Sequence, residues 1–493
     1  MNKKKLNNKI LNATKWSSIT EILAKIISPI TNMILARILL PEAFGVVATV
    51  TMIVSFADMF TDAGFQKYLI QHEFKNDQEK FNNANVAFWT NLSISILLYL
   101  LIVIFNKQIC ILVGNKGYEK VIVVASLQLL MTSFSSIQRA LYRREFDFKT
   151  LFIVRSITVF IPFVITIPLA LLGLSYWSLI IGMLLIQLIN AIILTIKSKW
   201  KPRLFYKISI LKEMFSFSMW TLVEAISIWL TSWIDIFIIS SSLNQYYLGI
   251  YKTSIMMVNT LMGLIISSIM PVFFSSLSRL QDDNKKFKAL FYKFQKFCSI
   301  LIFPLGVGIF IFRELAATII LGKSWGEASL VIGIWSLTSS LTIVLSFFNS
   351  EVYRAKGRPK ISFLSQVLHL IFLVPICIVF SKYSFKILVY VRSWARIQGI
   401  LVDIFFISFV FKFSLIRIFK NILPTLCSAI LMGIFGYFIK NINNSYLWQF
   451  VSIIICSIFY FGVLYLFPSM KEDLNNIIYK IKSFIINKLN KIK

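Results

Sequence analysis

Apolar residues run along this chain in long, nearly unbroken stretches separated by short polar segments. A helix needs ~20 residues at 1.5 Å rise each to cross a hydrocarbon layer about 30 Å thick. About fourteen stretches reach that length, at 17–39, 43–65, 84–106, 119–138, 151–172 and 175–196, then 213–240, 246–275, 295–312, 327–350, 361–381, 384–411, 421–439 and 446–467. None shows the apolar–polar alternation of barrel strands. The pattern therefore predicts an all-α, polytopic membrane protein of about fourteen transmembrane helices.

The polar punctuation predicts the orientation. Lys3, Lys4, Lys5, Lys67, Lys75, Arg143, Arg144, Lys197, Lys201, Arg279, Lys285, Arg354, Arg358, Arg417 and the lysines beyond Lys471 all fall in one set of alternate connections and the two tails. The opposite connections hold few, such as Lys116, Lys323, Lys382 and Lys440. Basic residues concentrate on the cytoplasmic side, so both termini are expected there and the span count is even. The basic start is followed by an apolar segment too long for a cleavable signal.

Composition removes other classes. Of 493 residues, 57% are hydrophobic and 15% charged, far from a soluble chain. The net charge of +30 invites a nucleic-acid reading, but the basic residues are dispersed between spans rather than gathered on one water-facing surface. Cys110, Cys298, Cys377, Cys427 and Cys456 stand singly in apolar segments, so neither disulfides nor a metal site is expected. His72 and His369 are too few for a His-based catalytic or metal constellation; His369 reads as a helix–helix hydrogen bond or a proton relay. The outward loops are short, leaving no room for an outside catalytic domain. Gly322-Lys323-Ser324 is a P-loop fragment with Ala317 in place of the first glycine, so ATP-driven transport is not expected. The chain reads as a transporter and not an enzyme.

Four segments are expected: an N-terminal six-helix lobe over 1–200, a basic linker with a second six-helix lobe over 201–412, two more spans over 413–468, and a basic tail over 469–493. In the tail, Leu474, Ile477, Ile478, Ile481, Ile485 and Leu489 recur at helical spacing among lysines, as in an interfacial amphipathic helix or a solvated basic tail. The lobes echo each other weakly. Leu39-Leu40-Pro41-Glu42-Ala43-Phe44-Gly45 after the first span is matched by Leu243-Asn244-Gln245-Tyr246-Tyr247-Leu248-Gly249 after the seventh, as in transporters built from repeats.

The stretch Arg37-Ile38-Leu39-Leu40-Pro41-Glu42-Ala43-Phe44-Gly45 resembles the R-L-L-x-P-E-D-F-G turn of the polysaccharide flippases in the multidrug/oligosaccharidyl-lipid/polysaccharide exporter superfamily. Phe60-Thr61-Asp62-Ala63-Gly64-Phe65 with Leu69-Ile70-Gln71, and Gln138-Arg139-Ala140-Leu141 with Arg144 and Phe146, resemble two further motifs of that family. Ala43 stands where the family commonly carries Asp, which weakens only a turn-stabilising contact. The resemblance implies two helical lobes that alternate access by rocking and carry a lipid-linked oligosaccharide to the outer leaflet of the bacterial inner membrane. It also assigns Arg37, Pro41, Glu42, Gly45, Asp62 and Gly64 to gating or structural turns.

Charges inside spans are costly and usually face a bundle interior or an aqueous cavity. Lys25, Arg392 and Arg396 lie mid-span and suit a pyrophosphate, guanidinium forks matching phosphate oxygens. Arg392, Arg396 and Asp403 share one helical face, while Arg396 with Asp403, and Lys25 with Glu21, also read as structural ion pairs. Glu224, Asp235 and Asp403 are expected either to couple an H⁺ or Na⁺ gradient or to bridge the basic residues. Arg155 and Lys252 lie near span ends and can snorkel to the interface. Asp58 and Asp62, one turn apart, are expected to repel. Pro29, Pro162, Pro168, Pro271, Pro304 and Pro375 can bend their helices.

The expected function is export of undecaprenyl-pyrophosphate-linked repeat units of O-antigen, capsule or exopolysaccharide, powered by an ion gradient without a bound cofactor. The bilayer and lipid-linked oligosaccharide are the expected partners, with polymerase and glycosyltransferases of the same pathway, and no nucleic acid. The alternatives are a cation-coupled drug exporter or lipid II flippase of the same fold, and a membrane glycosyltransferase or polymerase.

Overall fold

The computed structural model describes residues 3–62 and 64–475, with the side chains of several helical positions, Asp62 and Glu224 among them, outside the described set. The expected tail helix lies largely beyond it. The described chain is helical without strands. The elements are α1 (Lys3–Ile38), α2 (Pro41–Asp62), α3 (Phe65–Gln71), α4 (Asp77–Ile104), α5 (Asn106–Leu112), α6 (Glu119–Arg144), α7 (Phe148–Ile161), α8 (Ile167–Leu171), α9 (Tyr176–Lys197) and α10 (Ile208–Ser242). They continue as α11 (Gln245–Arg279), α12 (Asn284–Ile311), α13 (Arg313–Ile320), α14 (Ala328–Thr342), α15 (Phe348–Ala355), α16 (Pro359–Phe380), α17 (Phe385–Phe409), α18 (Leu415–Lys440) and α19 (Tyr446–Tyr465).

Twelve of the described helical segments are long and apolar enough to cross a membrane. α1 and α17 are not among them. The reason is plain in α17, where Lys386, Arg392, Arg396 and Asp403 lower the hydropathy. Two spans are broken by π-helical turns, Pro162–Thr166 between α7 and α8, and Ile343–Phe347 between α14 and α15. The first begins at a proline, which has no N–H for the helical ladder.

The chain forms two compact units. The first comprises 1–253, 320–325 and 373–388; the second comprises 254–319, 326–372 and 389–493. In the first, α6 packs against α4 and α9, α1 against α7, and α2 against α10. Val46, Val50 and Val54 recur every four residues on α2, so they form one apolar face and meet Ile102, Ile122, Leu129 and Ile180 in a common core. A separate core at the other end joins Phe65, Phe88, Ala140, Met214 and Trp200. In the second unit α12 packs against α14 and α18, and α18 against α19. Small residues permit the close approach: Ser336 Oγ donates to Gly306 O at 3.0 Å, and a Cβ at Gly306 would strike Ser340. Asn76 caps α4 through Glu79 N, and Asp147 caps α7 through Thr150 N.

Candidate functional site

In the second unit, α17 carries Arg392 and Arg396 one turn apart, so both reach the same neighbour on α14. Their guanidinium carbons lie 5.3 and 4.2 Å from the Trp335 ring centroid. The attraction of a cation for an indole face strengthens as water is removed, and Arg392 and Trp335 are both buried. Arg396 Nη1 donates to Ser339 Oγ at 2.7 Å, and Trp335 Nε1 donates to Asn259 Oδ1 at 3.1 Å. Three helices, α11, α14 and α17, thus fix one aromatic ring under two planar cations.

Asp403 lies about two turns further along α17. One carboxylate oxygen accepts from Ser346 of the π turn, the other from Ser365 of α16 at 2.6 Å. Tyr353 OH donates to the Asp403 carbonyl at 3.1 Å. The π turn widens the helix locally, as such bulges do at functional positions, and it is this turn that supplies Ser346. His369 Nδ1 meets Gln398 Oε1 at 2.9 Å, the helix–helix hydrogen bond expected of it.

In the first unit Lys25 is half-buried on α1. Asp235 is buried on α10 and accepts from Tyr251 OH at 2.8 Å, while the Lys252 ammonium sits 4.0 Å from the Trp233 ring centroid. Arg155 is exposed. The side chain of Glu224 lies outside the described residues.

The two echoing turns meet inside this unit. Pro41 opens α2 with Glu42 beside it in the first turn, the position where a carboxylate favours a helix N-terminus. A Cβ on Gly45 would collide with the Gln245 carbonyl, and one on Gly249 with the Pro41 carbonyl. Each repeat therefore presents its glycine to the backbone of the other. Thr49 Oγ1 bonds Ser240 Oγ at 3.0 Å, and Gln245 Nε2 donates to Gly114 O at 3.3 Å. Trp325, fully buried, donates to Ala36 O at 2.7 Å and packs edge-on against Phe44. Arg37 is exposed beside Gly322. Gly64 adopts φ 82° between α2 and α3, a left-handed turn that suits glycine; Asp62, as a side chain, lies outside the described residues.

One group escaped the sequence reading. Asp58 lines a cavity of about 350 Å³ whose polar groups include Asn91, Thr132, Arg139 and Gln187. Its Oδ1 accepts from Thr61 Oγ1 at 3.1 Å and Thr132 Oγ1 at 3.0 Å. The sequence sets Asp58 only against Asp62 on its own helix; Thr61 is a neighbour on that helix, but Thr132 comes from α6, where the polar positions Thr132, Ser135, Ser136 and Arg139 are the available signal.

Comparison with known proteins agrees with this architecture. A family model described as polysaccharide biosynthesis protein matches residues 34–330. The chain is 22% identical over 377 residues to an uncharacterized membrane protein in the cps region of Klebsiella pneumoniae, covering 75% of this chain and 76% of that one. It is 24% identical over 319 residues to the succinoglycan biosynthesis transport protein ExoT of Rhizobium meliloti (strain 1021), covering 65% and 64% respectively. It is 21% identical over 382 residues to the lipopolysaccharide biosynthesis protein WzxC of Escherichia coli (strain K12), covering 76% and 75%. Among solved structures, the lipid II flippase MurJ in an inward closed conformation shares the fold at TM-score 0.77 and 16% identity, covering 93% of this chain and 99% of that one. An inward-facing MATE family multidrug transporter follows it at TM-score 0.61 and 12% identity, covering 83% and 98%. The protein is a multi-pass protein of the bacterial inner membrane.

Proposed function

The chain belongs to the family of polysaccharide biosynthesis proteins, and from that membership we propose that it is a flippase for undecaprenyl-pyrophosphate-linked oligosaccharide repeat units. It moves them from the cytoplasmic to the outer leaflet by ion-coupled alternating access. The cargo is an O-antigen, capsule or exopolysaccharide unit, received from glycosyltransferases and passed to a polymerase. The names of the ExoT and WzxC relatives, which place them in succinoglycan transport and lipopolysaccharide biosynthesis, support this reading.

The observation that carries it is the pair of arginines over Trp335. A pyrophosphate entering a low-dielectric passage needs fixed positive charge, and two planar guanidiniums offer forked donors to its oxygens. Trp335 and Ser339 hold those forks in place, so little side-chain freedom is lost when the lipid arrives. Lys25 on α1 of the first unit is a separate proposed cation for the same cargo. Asp403 among its serines, Asp235 beside Tyr251, and Glu224 are the proposed coupling groups, exchanging H⁺ or Na⁺ as the cavity alternates.

The test is a deletion strain complemented with the wild-type gene or with Arg396→Ala, scored for surface polysaccharide and for the leaflet holding the undecaprenyl-linked oligosaccharide. Wild type is expected to restore polymer, whereas Arg396→Ala leaves the intermediate on the cytoplasmic leaflet. Normal polymer in the deletion strain, with no trapped intermediate and no second flippase, sinks the assignment and brings forward drug or lipid II export. Loss of polymer with normal outer-leaflet units points instead to a polymerase.

A further inference from the structure

A second cavity, of about 650 Å³, lies in the first unit where the ends of three spans meet: Asp77 opens α4, Arg144 closes α6 and Lys197 closes α9. The basic linker folds over it. Trp200 of that linker is buried against Phe88 with ring centroids 5.8 Å apart, Arg203 N donates to Asn85 Oδ1 at 2.9 Å, and Trp89 Nε1 donates to Arg203 O at 2.9 Å. The linker is thereby fastened to α4, and Lys197, Lys199 and Trp200 are held at the cavity wall.

The wall carries both signs of charge, but the acidic groups and two of the cations are already engaged. Lys80 Nζ lies 2.8 Å from Asp77 and 3.2 Å from Glu145. Asp147 accepts from Thr150 N and, at 2.7 Å, from Thr150 Oγ1. Arg144 donates to the carbonyls of Leu69, Ile70 and His72. What remains is a set of donors. No salt bridge or hydrogen bond holds Lys197 or Lys199 among the described residues, although Lys199 feels the charge of Asp77. Trp200 is only 3% exposed, and its Nε1 is a buried donor with no acceptor. Buried indole N–H groups ordinarily find a partner. Two exposed ammonium groups on the cavity wall, and beside them an indole whose buried N–H has no acceptor, call for an anion with several acceptor oxygens.

We propose that this cavity binds a phosphate ester, at a site separate from the arginines that serve the cargo. Its depth suits a phospholipid headgroup: three span ends lie at its rim, on the face that the lysine and arginine bias assigns to the cytoplasm. There anionic lipids are drawn to juxtamembrane lysines by about fivefold per residue. A soluble phosphate monoester offers the same oxygens.

The experiment uses the purified full chain. In mixed phosphatidylglycerol and phosphatidylcholine nanodiscs, native mass spectrometry measures the ratio of the two lipids retained on the protein. In lipid-free detergent, the melting temperature is followed with added glycerol phosphate. Wild type is compared with Lys197→Gln/Lys199→Gln, with Trp200→Phe, which keeps a ring in the core but removes the N–H, and with Lys285→Gln/Lys286→Gln, which removes equal charge elsewhere. Phosphatidylglycerol enrichment that falls about 25-fold in the first variant, less in the second and not in the third, establishes the site with a lipid occupant. Stabilisation by glycerol phosphate that the first two variants abolish, without lipid enrichment, establishes it with a soluble one. Identical behaviour of all four proteins in both arms overturns the proposal.

Discussion

Arg396 is held by a ring on one side and a serine on the other, so charge alone does not define it. Arg396→Lys keeps the cation but loses the fork and the stacked plane; it is expected to restore surface polysaccharide only partly, between wild type and Arg396→Ala. Trp335→Leu removes the shared ring, worth about 2 kcal/mol to a desolvated cation, and should weaken export although both arginines remain. The spacing of Arg392 and Arg396 was legible in the sequence, because four residues along a helix is a local relation. Trp335 and Ser339 were not, since they reach α17 from a distant stretch of chain. Glycine gives a second residue-scale test. Gly45→Ala and Gly249→Ala each force a methyl against a backbone carbonyl, an overpacking that costs about 1–3 kcal/mol. Both should lower the melting temperature, whereas Gly263→Ala, whose added carbon has open space, should leave it unchanged. The repeat between Pro41–Gly45 and Gln245–Gly249 could be read from the letters; that the two copies press on each other could not.

At the scale of elements, the long spans were visible because membrane helices carry their signal in uninterrupted apolar length. The π turns were not. Pro162 announces a bend, but Ile343–Phe347 has no proline to mark its extra residue per turn. That turn brings Ser346 to Asp403. Removing both hydroxyls with Ser346→Ala/Ser365→Ala leaves a half-buried carboxylate short of donors, at about 1–3 kcal/mol. Faster amide exchange is expected over α16 and the π turn, with α18 and α19 unaffected; uniform exchange across the unit would show that the serines do not hold Asp403. The short helices α3 and α5 also escaped sequence reading, being too brief for a periodic pattern to emerge.

For the whole molecule, the lysine and arginine bias predicts both ends of the chain in the cytoplasm. Fluorescent-protein fusions at the C-terminus should fluoresce, and alkaline phosphatase fused after Lys116 should be active while fusions after Lys285 are silent. A silent C-terminal fluorescent fusion would mean an odd number of crossings. Fold class and family were readable because hydropathy and a few turn motifs are encoded locally. The cavity lined by Asp58 and the one beneath the linker are assembled from helices far apart in sequence, so no single stretch of the chain marks either.

The fastening of the linker through Trp200 and Arg203 also decides where the polypeptide can be divided. A gene split ahead of Trp200 would strip the first fragment of a core side chain and leave α4 uncovered. Cleavage between Tyr206 and Ile208, both exposed, would leave that strap with the fragment it is fastened to but send Met214 of the same core away with α10, so co-expressed halves made at this junction reassemble by docking α10 back onto α2 and α3.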